Sequence, residues 1–78
     1  MNVFDDVKRI MIDYFDDEDL VITEATCSKD IEDWDSLAQM NIMVAVSKHF
    51  NVKFSVEEIV ALQNVGVLVK NVERKLRL

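Results

Sequence analysis

Among the side chains able to do covalent chemistry, this 78-residue sequence offers one cysteine, Cys27, one histidine, His49, and four serines. A hydrolytic dyad needs a nucleophile within hydrogen-bond reach of a base, and His49 is the only imidazole. Ser36 and His49 fall on one predicted helix thirteen residues apart, which at ~1.5 Å per residue separates them by about 20 Å. They cannot form a dyad. Spacing leaves a Cys27–His49 pair open, against the blander reading of Cys27 as an inert, partly buried small side chain. The acidic run Asp16, Asp17, Glu18, Asp19 invites a calcium loop, but such a loop needs alternating ligands and a central glycine, and the only glycine is Gly66. One cysteine and one histidine are too few for a zinc site. No catalytic set and no metal site is expected.

What remains is Asp35-Ser36-Leu37, set where a long acidic segment meets the longest clean apolar segment of the chain. The elements that must position it can be read from the pattern. With no proline and one glycine, hairpins, sandwiches and glycine-rich phosphate loops are disfavoured, so the chain reads as all-α. Phe4, Val7, Met11, Tyr14 and Phe15 mark the stripe of a first helix capped by Asn2, with Asp5 and Asp6 in its first turn and an end near Phe15 or Asp16. Residues 16–34 keep no helical period and read as a functional loop whose Leu20, Ile22, Ile31 and Trp34 drop onto the bundle; a short strand at 21–23 would lack a partner.

A second helix fits 36–50 with Asp35 as N-cap and Leu37, Met40, Met43, Val44, Ala45, Val46 and Phe50 on a broad apolar face. Ser55 with Glu58 forms a capping box that opens a short third helix from Val56 to about Leu62, burying Ile59, Val60 and Leu62. Asn64 caps a fourth, burying Val65, Leu68, Val69, Val72 and Leu76, and Lys70, Arg74, Lys75 and Arg77 suit the negative end of its dipole. The expected architecture is an antiparallel four-helix bundle with a long first loop and a short third helix, one domain over 1–78.

Charge narrows the partners. The net charge is −6, with 12 acids against 3 bases up to Asp35 and 3 acids against 6 bases after it. Such a field repels phosphate backbones and anionic lipid, so neither nucleic acid nor a membrane surface is expected as a partner, and basic protein patches are. No stretch approaches the roughly 20 apolar residues of a membrane span, and no signal peptide is recognised. A cytoplasmic monomer is the expectation.

In its order of helix, long loop, Asp-Ser-Leu, amphipathic helix ending in Phe, capped short helix and final helix, the chain resembles the acyl carrier proteins over nearly its whole length. That resemblance implies that Ser36 receives 4'-phosphopantetheine from coenzyme A and carries acyl groups on it as thioesters, as in fatty acid or polyketide biosynthesis. It implies a phosphopantetheinyl transferase as partner, which supplies base and magnesium, so that the carrier is no enzyme. It assigns transferase recognition to Asp35, Leu37 and Met40, and shelter of an acyl chain to Met43, Val44, Phe54, Ile59 and Leu62; all but the helix cap Asp35 are otherwise ordinary core candidates. A serine at a helix N-terminus suits the role, since its phosphodiester would lie near unpaired N–H groups and the positive end of the dipole.

One departure from the family pattern is informative. Carriers of bacterial fatty acid synthesis usually have an acidic second helix, whereas the exposed positions expected here include Gln39, Asn41, Ser47, Lys48 and His49. Docking to acyl-loading and acyl-processing enzymes with basic patches would then use Asp30, Glu32, Asp33 and Asp35 before the helix and Glu57 and Glu58 after it, which favours a dedicated pathway. Two rivals remain. An aminoacyl or peptidyl carrier would load an amino acid, although the Gly-Gly-x-Ser common in peptidyl carriers is absent; a helical adaptor without an arm would tolerate loss of Ser36.

Overall fold

The computed structural model describes residues 2–76 as helices α1 (Val3–Phe15), α2 (Ser36–Phe50), α3 (Val56–Val60) and α4 (Val65–Leu76), with no strand among the described residues. Arg77, expected in the last turn of α4, lies outside them.

Local chemistry sets the helix starts. The Asn2 side chain accepts from the Asp5 N–H, and α1 stops where Asp16 turns left-handed at φ 52°. The Asp35 carboxylate accepts from the Ala38 N–H at 2.8 Å, and α2 ends at a left-handed Asn51. Ser55 and Glu58 exchange both bonds of the capping box. The Asn64 side chain accepts from the Val67 N–H at 2.9 Å. Each arrangement satisfies amides that a helix leaves without partners at its start.

Packing places α1 and α4 against each other and α2 against α1. Val3, Val7, Met11 and Ile12 of α1 meet Val65, Leu68, Val69 and Val72 of α4 and Ala38, Ile42, Met43, Val46 and Phe50 of α2 in one buried cluster. The stripe of α1 is rotated from the expected one, since Val3 and Ile12 are buried and Tyr14 is exposed. On α2 the difference is larger. The buried line runs through Ala38, Ile42, Val46 and Phe50 at four-residue spacing, while Leu37, Met40 and Val44 face outward. A helix apolar on most sides has no intrinsic period to fix its inner face, so its neighbours decide.

The third helix is shorter than expected, ending at Val60, and none of its residues is buried. Val60, expected inside, is 75% exposed; Ile59 and Leu62 pack at the core's margin. The loop between α1 and α2 is held down, as expected, by Ile22, Ile31 and Trp34, all buried. Its backbone adds a tie that side-chain types do not announce. The carbonyls of Thr26 and Glu24 accept from the N–H groups of Val65 (2.9 Å) and Gly66 (2.7 Å), capping α4 from a distant part of the chain.

Candidate functional site

Ser36 is the first residue of α2 and is exposed. Its position follows from Asp35, whose extended backbone (φ −102°, ψ −172°) turns the loop into the helix while its side chain caps the first turn. Asp35 also takes the Gln39 N–H on its backbone carbonyl at 2.9 Å. Among the described residues no hydrogen bond engages the N–H of Ser36 or Leu37, so both stay free beside the serine hydroxyl at the positive end of the helix.

Beside the serine lie the Asp35 side chain and apolar ones. Leu37 is 68% and Met40 43% exposed, giving an apolar patch next to Ser36. Asp30, Glu32, Asp33 and Glu57 are exposed, the first three in the loop that leads to α2 and Glu57 on α3. Asp30 is engaged locally, accepting the Cys27 N–H at 3.0 Å. Glu58 differs from the other acids. Its carboxylate meets Lys75 at 3.0 Å and Arg74 at 3.3 Å and accepts the Ser55 N–H, which ties α3 to the end of α4. The Ser55 backbone N–H foremost, with Lys75 beside it, holds the Glu58 carboxyl below its ordinary pKa.

A cavity of about 360 Å³ opens at Ser36 between the end of the loop, α2 and α3; Trp34, Asp35, Gln39 and Met40 line it on one side and Ile59 and Val60 on the other. Gln39, expected to be exposed, is half-buried and donates to the Ile59 carbonyl at 2.6 Å, fastening α3 to α2. A second cavity of about 190 Å³ lies one turn further along α2. Of the residues proposed to shelter an acyl chain it brings together Met43, Val44, Phe54 and Ile59, with Ser47 and Lys48 at its edge; Leu62 is not on its wall. Ser47, also expected outside, is half-buried and donates to the Val52 carbonyl.

The residues of the other chemistries considered can be placed too. His49 stands at the other end of α2 from Ser36, against Asp6 of α1 at 3.4 Å. Cys27 is a free thiol, half-buried in the loop. Among the described residues no group of three or more His, Cys, Asp or Glu side chains could hold a metal ion.

A family model described as "Phosphopantetheine attachment site" matches residues 16–72 of this chain. The chain belongs to that family. Among solved structures it is similar to a holo acyl carrier protein from Geobacter metallireducens determined by solution NMR. The two share 39% identity over 99% of this chain and 88% of that one, with a TM-score of 0.90. Both findings make this protein an acyl carrier of the phosphopantetheine-bearing kind, a carrier and not an enzyme. The site fits the group. An exposed serine hydroxyl, two unengaged backbone N–H groups and an adjoining cavity with polar and apolar walls are what a tethered phosphodiester and its arm require.

Sequence reasoning did not single out Trp34 and Gln39 as site residues. Trp34 was legible only as a loop residue spaced to reach the core. Gln39 follows Ser36 by three residues, which puts both on one face of α2, but its bond to the Ile59 carbonyl depends on where α3 docks.

Proposed function

We propose that Ser36 is the attachment residue, and that one carrier domain spanning residues 1–78 presents acyl thioesters from it to partner enzymes. The observation that carries this reading is the exposed Ser36 hydroxyl at the first turn of α2, directly after the Asp35 cap. When bound, phosphopantetheine supplies the thiol that holds an acyl group as a thioester. The chain's own residues do the rest. Asp35 fixes the helix start and keeps Ser36 turned outward, and the N–H groups of Ser36 and Leu37 lie ready for phosphate oxygens. Leu37 and Met40 give the transferase an apolar surface to press against, and Asp35 presents an acid next to the hydroxyl that is modified.

Docking follows the charge. Glu32, Asp33 and Glu57 are exposed, and their carboxylates enter no hydrogen bond among the described residues. With Asp30 and Asp35 they suit loading and processing enzymes with basic surfaces. Glu58 contributes less, because its carboxylate is shared with Arg74 and Lys75. Past Ser36 the exposed polar side chains of α2, Asn41, Lys48 and His49, are not acidic, which supports a dedicated pathway with its own partners. The second cavity, with Met43, Val44, Phe54 and Ile59, is the shelter for an acyl chain; Leu62 packs against the core instead of lining it. A monomer working in the cytoplasm is consistent with the acidic surface and with described helices none of which is long and apolar enough to cross a membrane.

The test is the intact mass of the protein after incubation with coenzyme A, magnesium and a broad-specificity phosphopantetheinyl transferase, beside Ser36→Ala. One added phosphopantetheine on the wild type and none on the variant is expected. Addition to Ser36→Ala, or none to the wild type while a control carrier is loaded, would overturn the assignment.

A further inference from the structure

Asp6, Ile10 and Tyr14 of α1 follow one another at four-residue spacing, and so do Asn41, Ala45 and His49 of α2. Four residues is about one helix turn, so each trio forms a line along its helix. The two lines run side by side in opposite directions. His49 Nε2 meets Asp6 Oδ2 at 3.4 Å at one end, and the Asn41 side-chain amide donates to the Tyr14 hydroxyl at 3.1 Å at the other. Between these ties lie Ile10 and Ala45, and beside the short alanine is a shallow, open hollow of about 340 Å³ that those two line together with Tyr14 and Asp13. It shares no wall residue with either cavity described above.

The hollow borders an acidic corner that the function proposed above does not use. Helix α1 has no basic residue in its last turn, and Asp16 follows it directly as C-cap, its N–H held by the Asp13 carbonyl at 3.3 Å. Asp17 comes next, with its N–H on the Ile12 carbonyl. Both carboxylates therefore stand at the negative end of the helix dipole, where a cation is favoured instead. Arg9 reaches Asp13 at 2.6 Å and Glu18 at 2.7 Å, but among the described residues no ion pair engages Asp16 or Asp17, and both are exposed. An apolar hollow beside unneutralised acids matches an apolar ligand with a cation next to it.

We propose that the groove between α1 and α2 is a docking site for a basic amphipathic helix of a partner protein, which seats an apolar side chain over Ala45 and places a Lys or Arg, one turn further along, against Asp16 and Asp17. Charge complementarity selects this occupant. Anionic lipid and nucleic acid meet the same carboxylates with repulsion, and an acidic helix does so too. The apolar side chain supplies the anchor, and the cation fixes which way the helix lies in the groove. The site uses neither Ser36 nor the acids Asp30, Glu32, Asp33 and Glu57, so it stands whether or not Ser36 carries the arm. Ala45 lies nine residues beyond Ser36 on the same helix, about 13 Å of rise, so a protein held here leaves the start of α2 open to a second one.

The probe is a Leu/Lys peptide of about 14 residues, patterned as an amphipathic helix and long enough to form one, titrated into the ¹⁵N-labelled full chain; the same pattern with Glu in place of Lys is the control. The lysine peptide should give saturable amide shifts centred on Ile10, Tyr14, Asn41 and Ala45, weakened by added salt, and the glutamate peptide none. Ala45→Leu fills the hollow and should weaken binding roughly tenfold, as loss of an anchoring contact does. Asp16→Asn with Asp17→Asn leaves the apolar wall intact, and asparagine accepts the left-handed backbone at 16. That double variant should bind roughly twofold to fivefold more weakly, the worth of an exposed charge pair or two. Loading with phosphopantetheine should proceed equally in all three proteins. Shifts centred on residues 30–35 and Glu57, equal binding of the glutamate peptide, no saturable binding, or unchanged affinity in the double variant would each overturn the site. Slowed loading of a folded Ala45→Leu would place the groove inside the transferase's own footprint and overturn its independence.

Discussion

Asp35 caps α2 and, in the function proposed above, also presents an acid to the transferase; substitution can pull the two apart. Its carboxylate accepts the Ala38 N–H at 2.8 Å, and Ala38 begins the buried line of α2. Replacing Asp35 with alanine leaves that amide without its acceptor at the start of the helix that supplies Ala38, Ile42, Met43, Val46 and Phe50 to the core. Loss of an N-cap costs about 0.5–2 kcal/mol, typically ~1. For a domain of this size each kcal/mol moves the midpoint by about 4–8 °C, so Asp35→Ala should melt lower by that amount in a thermal scan followed by circular dichroism. Asp35→Asn keeps an oxygen acceptor and gives up only the interaction of the charge with the helix dipole, about 0.3–1 kcal/mol. It should therefore melt between Asp35→Ala and wild type. Loading by the transferase should sort the variants differently, with both slower than wild type, because both lack the acid beside the serine hydroxyl. Asp35→Asn melting as low as Asp35→Ala would refute the capping account, and Asp35→Asn loading at the wild-type rate would refute the role given to the charge.

Ile42 is 1% exposed and Leu37, five residues earlier on the same helix, is 68% exposed. Ile42→Ala should cost about 2–5 kcal/mol in urea unfolding, whereas Leu37→Ala should stay within about 0.5 kcal/mol; equal costs would contradict the inner face assigned to α2. A methyl group on Gly66 would stand 3.0 Å from the Glu24 carbonyl oxygen, which is already held at 2.7 Å by the Gly66 N–H. Crowding of about 1–3 kcal/mol should outweigh a helix-propensity gain of up to ~1 kcal/mol. Gly66→Ala is thus expected to lower urea stability, and a gain would show that the loop can yield. Glu58 has its pKa held below the ordinary value by the Ser55 N–H and then by Lys75, so its contribution is present above the unfolded-state pKa and lost as pH falls through the folded one. The difference in melting temperature between wild type and Glu58→Gln should accordingly shrink as pH drops below about 5; a gap constant with pH would rule the carboxylate out as the source.

The features legible in the sequence are those encoded locally. Asn2, Asp35, Ser55 with Glu58, and Asn64 each cap the helix they precede, because a capping side chain bonds to amides within three residues of itself. The placement of Ser36 followed from the same local signal. What could not be read depends on contacts between distant segments. The apolar residues of α2 are spread around the helix, so only packing against α1 and the rest of the core could select Ala38 and Ile42 for the interior over Leu37 and Met40. Gln39 and Ser47 look like surface residues by type, yet both turn toward backbone carbonyls, of Ile59 and Val52, that the fold brings near. The loop's fixed position likewise depends on carbonyls of Glu24 and Thr26, and every residue has a carbonyl, so no residue type marks them.

The burial pattern explains how one small domain can hold the proposed attachment point firmly and still make room beside it. Ser36 is anchored to a helix whose buried line extends from Ala38 to Phe50 and packs against α1, so the start of α2 cannot move without opening the core. Across the cavity stands α3, five residues long with none buried. Its attachments are of another kind: the capping box, the Gln39 bond to Ile59, and the pairing of Glu58 with Arg74 and Lys75 at the molecule's edge. An element with little buried apolar surface opens at low cost compared with the whole domain. Polar ties can also be exchanged for others without leaving a void, which a close-packed core does not permit. Hydrogen exchange on the intact domain should therefore show the amides of Ile59 and Ala61 opening well before those of Ile42 to Val46. Equal protection of the two groups would mean that α3 is as rigid as the core, and that the space beside Ser36 is fixed.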